Sequence, residues 1–168
     1  MELNAQERLE VGQVIELVIG PVAHGGHFVA RHNGQVIFVR HGITNELVKI
    51  KITAVSSKIA HADVIEVLTA APSRVSPPCQ YAGKCGGCDF QHIDLLTQRK
   101  LKAEIIKEQF MRIGKIDLPL LGFDLEVNEV EPTDGLHWRT RMDFAVSPGG
   151  KIGFFGARSN EVVEISQC

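Results

Sequence analysis

Four cysteines constrain this chain more than any other feature. They are Cys79, Cys85, Cys88 and Cys168, and there are no others. The first three form a compact C-x5-C-G-G-C loop, and the fourth is the last residue. One centre using all four would leave no thiol over, and it would oblige a distant segment to return to residues 79–88. A chain whose final residue is such a ligand also reads as part of something longer.

The ligand pattern narrows what such a centre could hold. Structural zinc usually draws its cysteines from two short paired loops, and only Cys85 and Cys88 make such a pair. One loop giving three thiolates plus a remote fourth suits a [4Fe–4S] cube, in which each iron takes one. Gly86 and Gly87 would let the backbone bend closely around a bulky cluster. Zinc, a redox C-x-x-C pair and disulfides are the other readings. The redox pair lacks a surrounding βαβ pattern. Disulfides need an oxidising compartment, and the polar stretch Met1–Glu10 is no signal peptide. The longest apolar stretch, Val14–Ala23, is broken by Glu16, Gly20 and Pro21 and is too short to span a bilayer. The expectation is a cytoplasmic protein with reduced thiols and no membrane partner.

With 168 residues, 44% of them apolar, the chain can build one domain or two small ones. Ser76-Pro77-Pro78 divides it into residues 1–76 and 77–168. Before the prolines, short apolar runs recur at Val14–Ile19, His27–Ala30, Val36–Val39, Leu47–Val55 and Ala62–Leu68. Gly20-Pro21, Gly25-Gly26, Asn33-Gly34 and His41-Gly42 separate them as turn signals. Asn33-Gly34 is the strongest, because a type I′ hairpin needs positive φ at both central residues. Val48, Ile50 and Ile52 alternate with Lys49 and Lys51, as in a half-buried strand. Five short strands in this space predict a small OB-like barrel.

After the cysteine loop, a helix is expected from Asp94, its N-cap, to Ile113, with Gly114 as its stop. Leu95, Leu96, Ala103, Ile106, Phe110 and Ile113 share one stripe, as on a core-facing helix. Leu101 and Ile105 lie on another face, either a second buried flank or a docking surface for a further domain. Residues 137–146 alternate, which predicts a strand with Trp138, Met142, Phe144 and Val146 inward and Arg139 and Arg141 side by side outward. Pro148-Gly149-Gly150 and Arg158-Ser159-Asn160 then turn the chain through a meander whose last strand ends at Cys168. The predicted class is mainly β with one principal helix (α+β): a barrel followed by a small α/β cluster domain.

Taken in order, these features resemble the N-terminal part of the RNA (uracil-5-)-methyltransferases. His24-Gly25-Gly26, Asn33 through Val39, and Glu46 to Val55 resemble the TRAM domain, an RNA-binding β-barrel. Arg74 through Cys79, Cys85-Gly86-Gly87-Cys88 with Gln91, Trp138-Arg139-Thr140-Arg141, Lys151-Ile152-Gly153-Phe154 and Ile165-Ser166-Gln167-Cys168 are the more specific matches. Thr44-Asn45-Glu46 stands where that family often has Pro-Gly-Glu. The resemblance implies that Cys79, Cys85, Cys88 and Cys168 bind a [4Fe–4S] cluster. It also implies a downstream S-adenosylmethionine domain carrying a nucleophilic cysteine, and this chain has neither a spare cysteine nor a nucleotide-binding glycine motif. These residues alone are therefore expected to handle RNA and not to methylate it.

Specific RNA readers use planar stacking and basic contacts to phosphate. Arg139 and Arg141 are the foremost candidates, since a guanidinium suits both phosphate and bases. Lys49, Lys51 and Lys100 follow, against the alternative of a solvated surface. The net charge of −2 does not announce a nucleic-acid binder, although Arg99 to Lys115 carries six basic residues against two acidic ones. Phe28 and Phe38 read first as core, with base stacking as the alternative. His24 and His27 read as structural, and Gln91 as a possible hydrogen-bonding neighbour of the cluster. The expected partners are ribosomal or transfer RNA and the chain's own catalytic domain, with the protein as a monomer. The alternative is a free-standing iron–sulfur or zinc protein that binds RNA or senses redox state.

Overall fold

The computed structural model describes residues 8–130 and 134–168. The chain forms two compact units, Met1–Arg74 and Val75–Cys168. Its fold is mainly β, with a single α-helix among the described residues.

Six strands build the first unit: β1 (Val14–Val18), β2 (Val22–Ala23), β3 (His27–His32), β4 (Gln35–Arg40), β5 (Leu47–Val55) and β6 (Ile59–Thr69). Their order across the sheet is β1-β5-β6-β4-β3-β2, with β4 and β6 parallel and the other pairs antiparallel. The two ends of this order are one stretch of chain. The Gly20 N–H donates to the Val29 carbonyl and the Val29 N–H to the Pro21 carbonyl, each at 2.8 Å. The first strand thus pairs with β5 through its first half and with β3 through its second, which curls the sheet into an OB-like barrel. Gly20-Pro21, expected to separate strands, is instead the bend in this closing strand. A Cβ at Gly20 would sit 2.5 Å from the Val29 carbonyl oxygen, so close backbone approach requires glycine there.

Inward alternation fills the barrel. Phe28, Ile37, Val39, Val48, Ile50, Ile52, Ala60 and Ala62 are buried, and each large side chain contributes roughly 1.5–3 kcal/mol by leaving water. Phe28 is therefore core. Asn33 and Gly34 take positive φ between the paired His32 and Gln35, as the hairpin signal predicts. A buried carboxylate fastens the barrel's exit. Glu46 accepts from Arg74 Nε and Nη2, both at 2.6 Å, and from the backbone N–H groups of Ile43 (2.9 Å) and Ala71 (3.0 Å). Burial pushes the Glu46 carboxyl up, but the hydrogen bonds from Arg74 and Ala71, the Arg74 charge and the Ile43 bond outweigh it and hold the carboxyl below its usual range.

The second unit contains α1 (Leu95–Gln109), then β7 (Ala145–Val146), β8 (Ile152–Phe155) and β9 (Val162–Glu164), paired in the order β7-β8-β9. Asp94 caps the helix by accepting from the Thr97 N–H at 2.9 Å, a bond that holds its carboxyl below the usual range. The helix continues into a wider π-type turn over Phe110–Gly114, and Lys115, with φ 55°, takes the left-handed position rather than Gly114.

Three expectations fail in this unit. The apolar stripe is not a core face: Leu96, Ile106, Phe110 and Ile113 are exposed, while Leu101 and Ala103 are buried. Helical spacing marks an apolar face without saying what covers it. The burial of Leu101 within the chain removes it as a docking residue. The strand over 137–146 reduces to β7, since only Ala145 and Val146 find partners, in Gly153 and Ile152. Trp138, Phe144 and Val146 are exposed. Finally, β9 ends at Glu164, so Cys168 lies beyond the strand and not at its end.

Candidate functional site

The cysteine loop is wound by its own backbone. The Cys79 carbonyl accepts from Ala82, and the Tyr81 carbonyl from Lys84 and Cys85. Within that turn, the Tyr81 N–H points at Cys79 Sγ (3.4 Å) and the Gly87 N–H at Cys85 Sγ (3.3 Å). Such N–H···S bonds suit a negatively charged sulfur ligand and are among the factors that tune iron–sulfur centres. Gln91 accepts from the Cys79 N–H at 3.3 Å, which fixes the loop's first residue.

Two contacts tie this loop to distant chain. Cys85 forms an antiparallel bridge with Gly156, and the Gly86 N–H donates to the Phe155 carbonyl at 2.9 Å. A Cβ at Gly86 would lie 2.8 Å from that carbonyl oxygen. Here glycine serves close approach to the sheet. The second contact is Tyr81, whose phenol oxygen lies 3.0 Å from Ser166 Oγ and accepts from the Ser166 N–H at 3.1 Å. These bonds lower the phenol's affinity for its proton and place the segment that carries Cys168.

Three of the four cysteines therefore meet at one cavity. Cys79, Cys88 and Cys168 line a cavity of about 390 Å³, together with Tyr81, Gln91 and Trp138 among others. Burial pushes the Cys168 thiol up, and the neighbouring Cys88, Cys79 and Cys85 push it further, while Arg139 pulls it down. All four thiols are free of disulfides. Among the described residues, no three His, Cys, Asp or Glu side chains are grouped so as to hold a metal ion. A closed tetrahedral zinc site demands Zn–S bonds near 2.3 Å, whereas a cube spreads its thiolates over four irons. Four thiolates are the donor set a cube would need, and three of them, on Cys79, Cys88 and Cys168, share the cavity.

The basic candidates separate. Arg139 lies at this cavity, its guanidinium 4.9 Å from the centre of the exposed Trp138 ring. Arg141 is exposed and does not line the cavity. Lys49 is held by Glu66 at 2.8 Å on the barrel surface, a hydrogen bond and charge that raise its ammonium pKa, with a further contribution from Glu16. Lys51 and Lys100 are exposed. Sequence reasoning missed Tyr81 and Trp138 as parts of the site. Trp138 stood within the Trp138-Arg139-Thr140-Arg141 match, and Tyr81 was marked only as the single tyrosine of the chain.

Residues 8–65, within the first unit, match the TRAM domain. Across nearly its whole length its homologues are named RNA methyltransferases. A protein so named from Streptomyces avermitilis is 41% identical over 94% of this chain and 39% of its own length. One from Aquifex aeolicus is 32% identical over 92% of this chain and 35% of its own. The 23S rRNA (uracil(1939)-C(5))-methyltransferase RlmD of Halomonas elongata is 36% identical over 91% of this chain and 31% of its own. The chain thus spans under two-fifths of the length of these curated relatives. The solution structure of a conserved Methanococcus maripaludis protein matches 38% of this chain and 93% of its own at 29% identity, with a TM-score of 0.34. No helix among the described residues is long and apolar enough to cross a membrane.

Proposed function

We propose that this chain is the RNA-binding and [4Fe–4S]-binding portion of an S-adenosylmethionine-dependent RNA 5-methyluridine methyltransferase. It positions ribosomal or transfer RNA for methylation at uracil C5. The observation that carries the reading is that Cys79, Cys88 and Cys168 share one cavity, with Cys85 near enough to act on the Cys168 thiol, in a chain similar to proteins named RNA methyltransferases. Cys79, Cys85, Cys88 and Cys168 would hold the cube, one thiolate to each iron. When bound, the cluster would supply a cross-link between the loop and the terminal segment. Methyl transfer moves no net electrons, so a structural role suffices. Arg139 would contact RNA at the cavity, with Arg141, Lys51 and Lys100 contributing charge. Methylation itself, and docking to a catalytic domain, belong to a longer protein of which this is a part.

Anaerobic reconstitution tests the cofactor. About four irons and four sulfides per chain are expected, with broad visible absorption and quenching of Trp138 fluorescence. A colourless protein holding one Zn²⁺, which is d¹⁰, would overturn the cluster. For RNA, binding should weaken steeply with salt as counterions are released. The Arg139→Ala variant should weaken it further, and affinity indifferent to both would count against the RNA reading.

A further inference from the structure

The barrel carries a second arrangement that the cysteine centre does not use. On β3, β4 and β6 the alternation that buries Phe28, Ile37, Val39, Ala60 and Ala62 turns His27, Phe38 and His61 to the outer face. Phe38 and His61 are register partners across the parallel β4–β6 pair. Their rings stack, with centroids 5.6 Å apart and planes 24° from parallel. The His27 ring stands edge-on to both, 6.3 Å from Phe38 and 6.2 Å from His61. His27 is also oriented: its Nδ1–H donates to the Gly25 carbonyl at 2.8 Å. All three side chains are partly exposed.

Arg31 is exposed on the same side of β3, and Arg40, two residues after Phe38 on β4, is buried. Asp63 is the counter-charge, 3.8 Å from Arg40. Planar rings on a face that also carries the exposed Arg31 match what unpaired bases and their phosphates require: a π-face to stack on and a cation on the same surface.

We propose that His27, Phe38 and His61 form a stacking site for unpaired bases of single-stranded RNA, with Arg31 on the same face for phosphate. The site lies wholly within the barrel. The proposal rests on the RNA-binding reading and says which surface and which form of RNA the barrel takes.

The test measures binding of the full chain to a labelled oligouridylate of about ten nucleotides, within the span of one OB-type barrel. An abasic ribose-phosphate oligomer of equal length is the control. Phe38→Leu keeps an apolar side chain but removes the ring. It should weaken oligouridylate binding roughly 5- to 100-fold, as expected for loss of a base stack, and leave abasic binding unchanged. His61→Ala should shift binding in the same direction. If wild type binds oligouridylate and both variants bind it equally well, the stacking site is wrong while the RNA reading stands. If wild type binds neither oligomer, both fall together. Should Phe38→Leu fail to fold, the wild-type His27 and His61 imidazole proton resonances decide: shifts on adding oligouridylate support the site, and unmoved signals overturn it.

Discussion

The barrel and the cysteine unit solve the problem of stability in different ways. The barrel buries a continuous core from Leu17 to Ala62 and fastens its exit with the enclosed Glu46–Arg74 pair. The second unit buries only Ile93, Leu101, Ala103 and Leu118 among the described apolar residues. Its distant segments are joined by the backbone bond of Gly86 and by the hydrogen bonds of Tyr81 with Ser166. A unit with so little core gains most from a cross-link, because metal binding free energy is then folding free energy. Apolar burial holds the barrel together, and under the proposed function a cluster on the cysteines would substitute for burial in the other unit.

The largest effect that would break this comparison is expected in the barrel. Glu46→Ala strands Arg74 and should cost about 3–5 kcal/mol, the usual penalty for unpairing a buried ion pair, read by urea unfolding followed by circular dichroism. A loss under about 1 kcal/mol would show that the pair is dispensable. The same carboxylate sets a pH dependence. Because its folded-state pKa lies below the unfolded value, its stabilisation is complete above the unfolded value and is lost as pH falls through the folded one. Acid titration of Glu46→Gln should lack that step.

Gly86→Ala is the intermediate case. Its Cβ would meet the Phe155 carbonyl oxygen, and overpacking of this kind costs about 1–3 kcal/mol. The expected outcome is lower iron content with an unchanged urea midpoint for the barrel. Full cluster loading would show that the loop does not need to lie against β8. Tyr81→Phe should have the smallest effect. It removes the O–H that reaches Ser166, so air exposure should bleach the cluster faster while the barrel's melting is untouched. Bleaching at the wild-type rate would mean that the terminal segment is held by other contacts.

The barrel was legible because each strand buries one face, so period-two alternation through Val48, Ile50 and Ile52 translates directly into inside and outside. Its closure was not, since Gly20-Pro21 reads as a turn unless the pairing with Val29 is known. The same period misled at 137–146. Alternation predicts a strand only where a partner ladder exists, and Trp138 to Phe144 have none. At the site, the short spacing of Cys79, Cys85 and Cys88 marked a compact loop, because a turn is set by local residues. The clamp from Tyr81 to Ser166 and the meeting of Phe38 with His61 were not, because each depends on chain segments far apart in sequence.

Hydrogen exchange on the chain with and without its cluster tests the contrast most directly. Removing the cluster is expected to cost protection throughout Val75–Cys168, most of all in peptides covering 79–88 and 162–168, with β1 to β6 unchanged. Equal protection of the two units in the cluster-free protein, or losses reaching the barrel strands, would contradict it.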